Sequence, residues 1–412
     1  MKTCLTIGLA AIASAAAAIT PSVTDVTMEQ DPLTRNVAVG YVLSGRAVVT
    51  FSFLVGDDEI AVDNAIGDVN RVVEAGAHSI SCRPDRAVAA GWASSSVRVR
   101  VTAWPLDDPP DYLVIDLAHP TQHRYYASAS EIPGGPAADK YKSDWMVFRK
   151  IPAKNVRWRM GGGVEVGTRH PQWGTSTRDS EKYHYVTLDH NYYMAIYETT
   201  ADHYSMIANG APAASNGTFP AINCSYNYLR GSTGDGIDFP DTGAVVADAS
   251  FVKRARNVLG IPTIDLPTEA EWEFACRAGT ATAFNNGMDL ADYFDPIPGG
   301  IGWDSSTGVA SRQAVGQKAP NNWNLYDMHG NVGELCLDWF DSTFYAENSE
   351  QTNPVGPKTS DGTAYSTRVT RGGFWQVSAP QCRSAYRSQS WNPADTKYGW
   401  MGFRLVCAAS AE

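Results

Sequence analysis

The chain has 412 residues, of which 19% are charged and 11% aromatic, with 12 Trp, 36 Gly and a formal net charge of -11. This length allows two or three domains with a sizeable core. The acidic surplus gives no basic field for nucleic acid or an anionic membrane surface. The Gly and aromatic counts favour loop-rich β architecture over a helical bundle.

At the N-terminus, residues 1–18 carry one Lys, an apolar run and a tract of small residues. This pattern predicts a signal peptide cleaved near Ala17 or Ala18, and hence a mature protein that is secreted or otherwise extracytoplasmic. No later stretch has the roughly 20 consecutive apolar residues needed to span a bilayer. Six cysteines follow the leader: Cys82, Cys224, Cys276, Cys336, Cys382 and Cys407. Their even number and the oxidising compartment predict disulfides, with the connectivity left open by spacing alone.

In residues 19–130, "NVAVGYVLSG", "AVVTFSFLVG" and "SVRVRVTAW" alternate Val, Thr and Phe at period two between Gly, Asp and Pro. Antiparallel strands follow, most simply an all-β sandwich of immunoglobulin or fibronectin type. Gly and Pro in 131–145 predict a linker, and a second domain spans 146–409. It holds few periodic helices. One has an explicit start: in "LPTEAEWEFACRAGT", Thr268 stands three residues before Glu271, the spacing of a capping box. A second short helix is predicted in "SFVKRARNVLG", stopped by Gly260.

The same capped stretch, then "NLYDMHGNVGELCLDWF", and then "RVTRGG", "CRSAYR" and "GFRLV" in that order resemble the formylglycine-generating enzyme family, also called sulfatase-modifying factor domains. The resemblance implies an α+β fold for 146–409, a loop-rich variant of the C-type lectin fold with little regular secondary structure. It also implies an activity: the best-known members use oxygen and a copper(I) ion held by two cysteine thiolates to oxidise a cysteine in a Cys-x-Pro-x-Arg sulfatase peptide to formylglycine. A pair of soft sulfur donors suits copper(I).

The motif departs from the oxidising pattern. In those members the Arg-Gly-Gly turn is followed by Ser, with cysteines four and nine residues after the second Gly; the matching positions here are Phe374, Val377 and Cys382. Val377 leaves one sulfur at most, so a copper centre is not expected. The tryptophan of the family's Gly-Asn-x-Trp-Glu-Trp motif is matched by Gly333, and Phe374 is expected to fill the volume that this indole leaves. Two readings of Cys382 stay open: a disulfide with Cys276, or an active thiol. Arg387 is either a substrate-facing cation of the peptide cleft or half of a buried ion pair. Trp375, Trp391 and Trp400 either line a surface for a peptide, protein or glycan ligand or pack in the core.

The resemblance further implies calcium, an ion that takes hard oxygen ligands from irregular loops. In "YDMHGNVGE" the ligands would be the side chains of Asp327 and Glu334 and the carbonyls of Gly330 and Val332, with Asp292 a candidate for a second site. Two functions remain: a calcium-stabilised binding module with a degenerate copper and oxygen site, in which Cys382 and Arg387 do no catalysis, or a sulfatase-modifying oxidase that uses both.

Overall fold

The computed structural model describes residues 20–411 except 57, 63, 85–95, 163–180, 233–244, 291–294, 346–349, 358–366 and 389–394. The expected signal peptide, Asp292 and Trp391 therefore lie outside the described residues. The alternating segments form two antiparallel sheets. One runs in the order Val23–Gln30, Val37–Leu43, Gly76–Cys82, Ile66–Gly67; in the other, Ala47–Val55 pairs with Asp58–Ala61, Arg71–Val73 and Val97–Trp104. Period two sends Val37, Val39, Tyr41 and Leu43 inward from one sheet to meet Val49, Phe51 and Phe53 of the other in a shared core.

The boundary between the units falls earlier than the expected residue 130. Tyr112–Asp116 and Arg124–Tyr126 form one side of a five-stranded antiparallel sheet that continues through Trp145–Ile151, Tyr192–Ala195 and Val406–Ala408. Leu113, Val114 and Ile115 form an uninterrupted buried run, as a strand covered on both faces requires. Residues 131–145 likewise do not behave as a linker. Single turns at Ala129–Glu131 and Asp139–Lys142 fold back so that Ile132 and Tyr141 are buried, and the Tyr141 hydroxyl donates to the Pro133 carbonyl at 2.9 Å. Apolar burial here outweighs the Gly and Pro content.

Both expected helices form. Glu269–Arg277 begins with a reciprocal capping box: the Thr268 hydroxyl accepts from Glu271 N at 3.1 Å and the Glu271 carboxylate accepts from Thr268 N at 2.8 Å. Phe251–Leu259 ends on Gly260 in the left-handed conformation. Helices Ala201–Asn209 and Tyr226–Arg230 add to these, capped by Thr200 and Ser225. The second unit is thus mixed, with strands dominating. Among the described residues no helix is long and apolar enough to cross a membrane.

A small sheet positions the site. Gly333–Trp339 is its central strand, antiparallel to Arg368–Arg371 and parallel to Met401–Gly402, with Glu334 opposite Arg371 on one side and Gly402 on the other. Three of the five stretches that carry the sequence resemblance are thereby set side by side.

Candidate functional site

The capped helix places Glu269 and Glu273 one turn apart on one face. Glu269 is held by Arg387, with Nε to Oε1 at 2.6 Å and Nη2 to Oε2 at 2.8 Å; Glu273 meets Arg277 at 2.7 Å and pairs with Arg371. All five side chains are buried. Arg387 also donates to the Asp341 carbonyl at 2.9 Å, and its guanidinium lies over the Phe340 and Tyr345 rings. A bidentate, buried guanidinium of this kind is a structural cation. The substrate-facing alternative for Arg387 does not hold.

The Arg-Gly-Gly turn brings Phe374 and Cys382 close together in a way only Gly allows. Gly373 has φ +72°, and a Cβ there would stand 2.6 Å from the Cys382 sulfur and 2.6 Å from the Gln381 carbonyl. Cys382 is wholly buried in a small apolar cluster with Phe284, Ile297 and Ala379, with Val377 packed against it. Burial first, then the charge of Asp304, pushes its thiol far up, against a weaker opposing pull from the Phe374 N–H. Such a thiol supplies no thiolate near neutral pH. Copper(I) with two thiolates does not fit this site: the second position is the aliphatic Val377, which leaves a single sulfur where a pair is needed.

The expected Cys276–Cys382 disulfide is not formed either; all six cysteines are free and buried. His329 occupies the space between the two. Its Nδ1–H donates to the Cys382 carbonyl at 2.7 Å and its Nε2 accepts from Asn285 N at 3.1 Å, while the Cys276 sulfur lies 3.9 Å from Nε2 and donates to Ser384 Oγ at 3.5 Å. Both ring nitrogens are used by the neutral tautomer, and burial lowers the ring to about 4 and raises the Cys276 thiol to about 12. The pair is therefore packing, not a nucleophile with its base. Denatured in urea without reductant, all six cysteines should alkylate; a mass showing any pair protected would overturn this arrangement.

Where the family's indole would rise from Gly333 there is another indole. A Cβ on Gly333 would stand 3.3 Å from Trp400 Cζ3 and 2.8 Å from Thr370 Cγ2. Phe374 stacks on Trp400 at 4.6 Å between centroids, and Tyr398 stacks on it at 5.1 Å. The lost volume is thus filled by Trp400, with Phe374 bracing it. Only a shallow, partly open cleft of about 20 Å³, on the order of the room one water needs, remains. Gly333, Thr370, Phe374 and Trp400 line it, and neither Cys382 nor Arg387 does. Trp375 is half-buried nearby, its indole N–H without a partner.

The expected calcium loop comes together only in part. Glu334 is fully buried and both its oxygens are taken: Arg404 Nη2 donates to Oε1 at 2.7 Å, Arg404 Nε to Oε2 at 3.0 Å, and Trp272 Nε1 to Oε2 at 2.8 Å. As a fourth calcium ligand Glu334 does not fit, because an internal guanidinium already satisfies it. Asp327 differs. Its Oδ2 accepts from Gly316 N at 2.7 Å, but its buried Oδ1 has no partner. Glu198, which no spacing rule singled out, accepts from Asn331 Nδ2 at 2.7 Å and Val332 N at 3.0 Å, and so ties down the loop that holds Asp327. Burial raises both carboxyls, Asp327 to about 6 and Glu198 well above its ordinary range, and for Glu198 the charge of Asp327 adds to the effect. Among the described residues no group of three or more His, Cys, Asp or Glu side chains is arranged to hold a metal ion.

Gly330 packs this loop against its neighbour: with φ +92°, its place would bring a Cβ within 1.8 Å of the Trp303 carbonyl.

Residues 145–409 match the family model described as the sulfatase-modifying factor enzyme 1-like domain. Among curated proteins the chain is similar to a formylglycine-generating enzyme of Streptomyces coelicolor, 36% identical over 160 residues that cover 36% of this chain and 47% of that protein. It is also similar to one of Thermomonospora curvata, 37% identical over 157 residues that cover 35% and 48%. The matched stretch thus spans about half the length of each. Among solved structures, Treponema denticola variable protein 1 superposes with a TM-score of 0.47 at 21% identity, covering 64% of this chain and 95% of that one.

Proposed function

Because the chain belongs to the family of sulfatase-modifying factor enzyme 1-like domains, we propose that it is a member in which ligand binding has replaced oxidation. The observation that carries this reading is the cleft: Phe374 and Trp400 pack together where the family's indole would stand, Val377 takes the place of one sulfur, and among the described residues no thiol lines the cleft. The family's fold would then serve as a C-type-lectin-like scaffold, and the front sheets as an immunoglobulin- or fibronectin-like module outside the cytoplasm, as the expected signal peptide would require. Given copper(I), oxygen and a Cys-x-Pro-x-Arg peptide, the purified chain should bind less than one copper and form no aldehyde. Stoichiometric copper with aldehyde formation would instead establish the oxidase reading, which the named formylglycine-generating relatives favour.

Calcium belongs to this proposal in a changed form. With Glu334 given to Arg404, an ion would rest on Asp327 Oδ1 and Glu198, two carboxyls that burial leaves poorly compensated. A cation offsets such charges. Added calcium should raise the melting temperature by a few degrees at pH 7.5, on the order of the 1–2 kcal/mol that modest site occupancy gives. Asp327→Asn should abolish the shift. No shift in the parent chain removes the calcium part and leaves the binding part intact.

A further inference from the structure

Away from the cleft, the surroundings of His190 fix its charge by geometry. It stands in the turn 189–191, between the strands His184–Leu188 and Tyr192–Ala195. Its Nδ1 lies 2.9 Å from Asp189 Oδ1 and its Nε2 lies 3.0 Å from Glu271 Oε1. A carboxylate only accepts, and a neutral imidazole has a single N–H to give. Both contacts are therefore hydrogen bonds at once only when the ring is an imidazolium.

The groups facing the ring favour that state. Glu271 comes from the helix Glu269–Arg277, and the capping box holds its other oxygen, with Thr268 N donating to Oε2 at 2.8 Å. Asp189 comes from the turn itself; its hydrogen bond to His190 first, and then that to Asn353, keep its carboxyl below the ordinary range. Tyr192 lies 6.1 Å away between ring centroids, donates to the Glu271 carbonyl at 2.6 Å, and is kept neutral by burial. Lys154 meets the turn through its backbone, its N–H donating to Asn191 Oδ1 at 3.0 Å. The hydrogen bond to Glu271, helped by the charges of both carboxylates, outweighs the burial of the ring and raises His190 to about 9.

The turn is also a junction of distant segments. Besides the Lys154 contact, Asp189 N donates to Asn353 Oδ1 at 3.0 Å, and Ala409 N donates to the Asn191 carbonyl at 3.4 Å. We propose that His190 is a charge clamp: as an imidazolium it bridges this junction to the capped start of Glu269–Arg277, and on losing its proton in alkali it releases one of the two carboxylates. A neutral ring turns a lone pair toward one of them, so attraction becomes repulsion on that side. The helix it holds carries Glu269 and Glu273 of the buried ion-pair network, which places the clamp at the edge of the domain's charged core. The folded ring is raised above its ordinary 6.5, so its stabilisation is complete below pH 6.5 and is lost as pH rises to about 9.

The test uses the full chain with isotope-labelled histidine, read by NMR. The His190 signal is identified by its loss in His190→Gln, or in His190→Asn should the first variant not fold; the side chain is 43% exposed, so either change is accommodated at the surface. At pH 7 both ring nitrogens should carry protons, and the ring should titrate with a midpoint above about 7.5, at least about one unit over an ordinary histidine. Urea midpoints then read the conformational consequence. Between pH 6.5 and 9 the parent should lose more stability than the variant, and since Asp338 is present in both chains its own titration cancels in the comparison. A midpoint below about 7.5, a single ring N–H at pH 7, or parallel stability profiles in parent and variant would each overturn the clamp.

Discussion

Replacing Arg404 with Met is expected to lower folding stability by about 3–5 kcal/mol, the range for removing one partner of a buried ion pair. Arg404 is wholly buried, and besides both oxygens of Glu334 it bonds the Ala195 carbonyl at 3.0 Å and the Tyr326 carbonyl at 2.8 Å. Without it, Glu334 keeps only the Trp272 indole donor and lies uncompensated near Asp327, whose carboxyl it already raises. Arg404→Lys should fall between, since one ammonium cannot serve a carboxylate and two carbonyls at once. Adding Glu334→Gln to Arg404→Met should recover part of the loss, because the stranded charge is then gone. Urea unfolding measures all three, and a cost below about 1 kcal/mol for Arg404→Met would show that the pair does not hold the loop.

The second large effect is a pH dependence centred on Asp338. Its Oδ2 accepts from Glu269 N at 2.7 Å, its buried Oδ1 has no partner, and burial followed by the Glu269 charge raises the carboxyl to about 8. An unfolded Asp releases its proton near pH 4. Between roughly pH 4 and 8 the folded state therefore holds a proton that the unfolded state has lost, and stability should fall as pH rises across that window. The slope from this one group is at most on the order of 1 kcal/mol per pH unit. Asp327 and Glu198 are raised too and act in the same direction. Asp338→Asn keeps an oxygen for Glu269 N and carries no charge, so it should flatten the profile by the share of Asp338 alone. Urea midpoints at pH 5, 6, 7 and 8 decide the matter; equal slopes in parent and variant would mean that Asp338 is ionised throughout.

Local rules were sufficient wherever the interaction spans a few residues. The Thr268–Glu271 box joins positions three apart, so spacing alone predicted it. The stop at Gly260 needs only a residue that tolerates a left-handed backbone, and the alternation in 36–55 and 96–104 already shows which side chains turn inward. The motif order likewise identified the family from quoted residues, and the substitution at Val377 already spoke against paired sulfurs.

The rest depended on partners far apart in the chain. Glu334 looked like a calcium ligand until Arg404, seventy positions away, took both its oxygens. Cys276 and Cys382 looked like a bridge until His329 proved to stand between them. Phe374 was expected to fill the volume at Gly333, and Trp400 takes it instead from a neighbouring strand end. Residues 131–145 looked like a linker because composition registers Gly and Pro but not that Ile132 and Tyr141 have a core to enter. Sequence alone determined the family, the local elements and the missing sulfur. Only the tertiary structure decided which charge meets which and what occupies the cleft, because a buried carboxylate or an empty volume is satisfied by whatever the fold brings near, and nearness in space is not written in spacing along the chain.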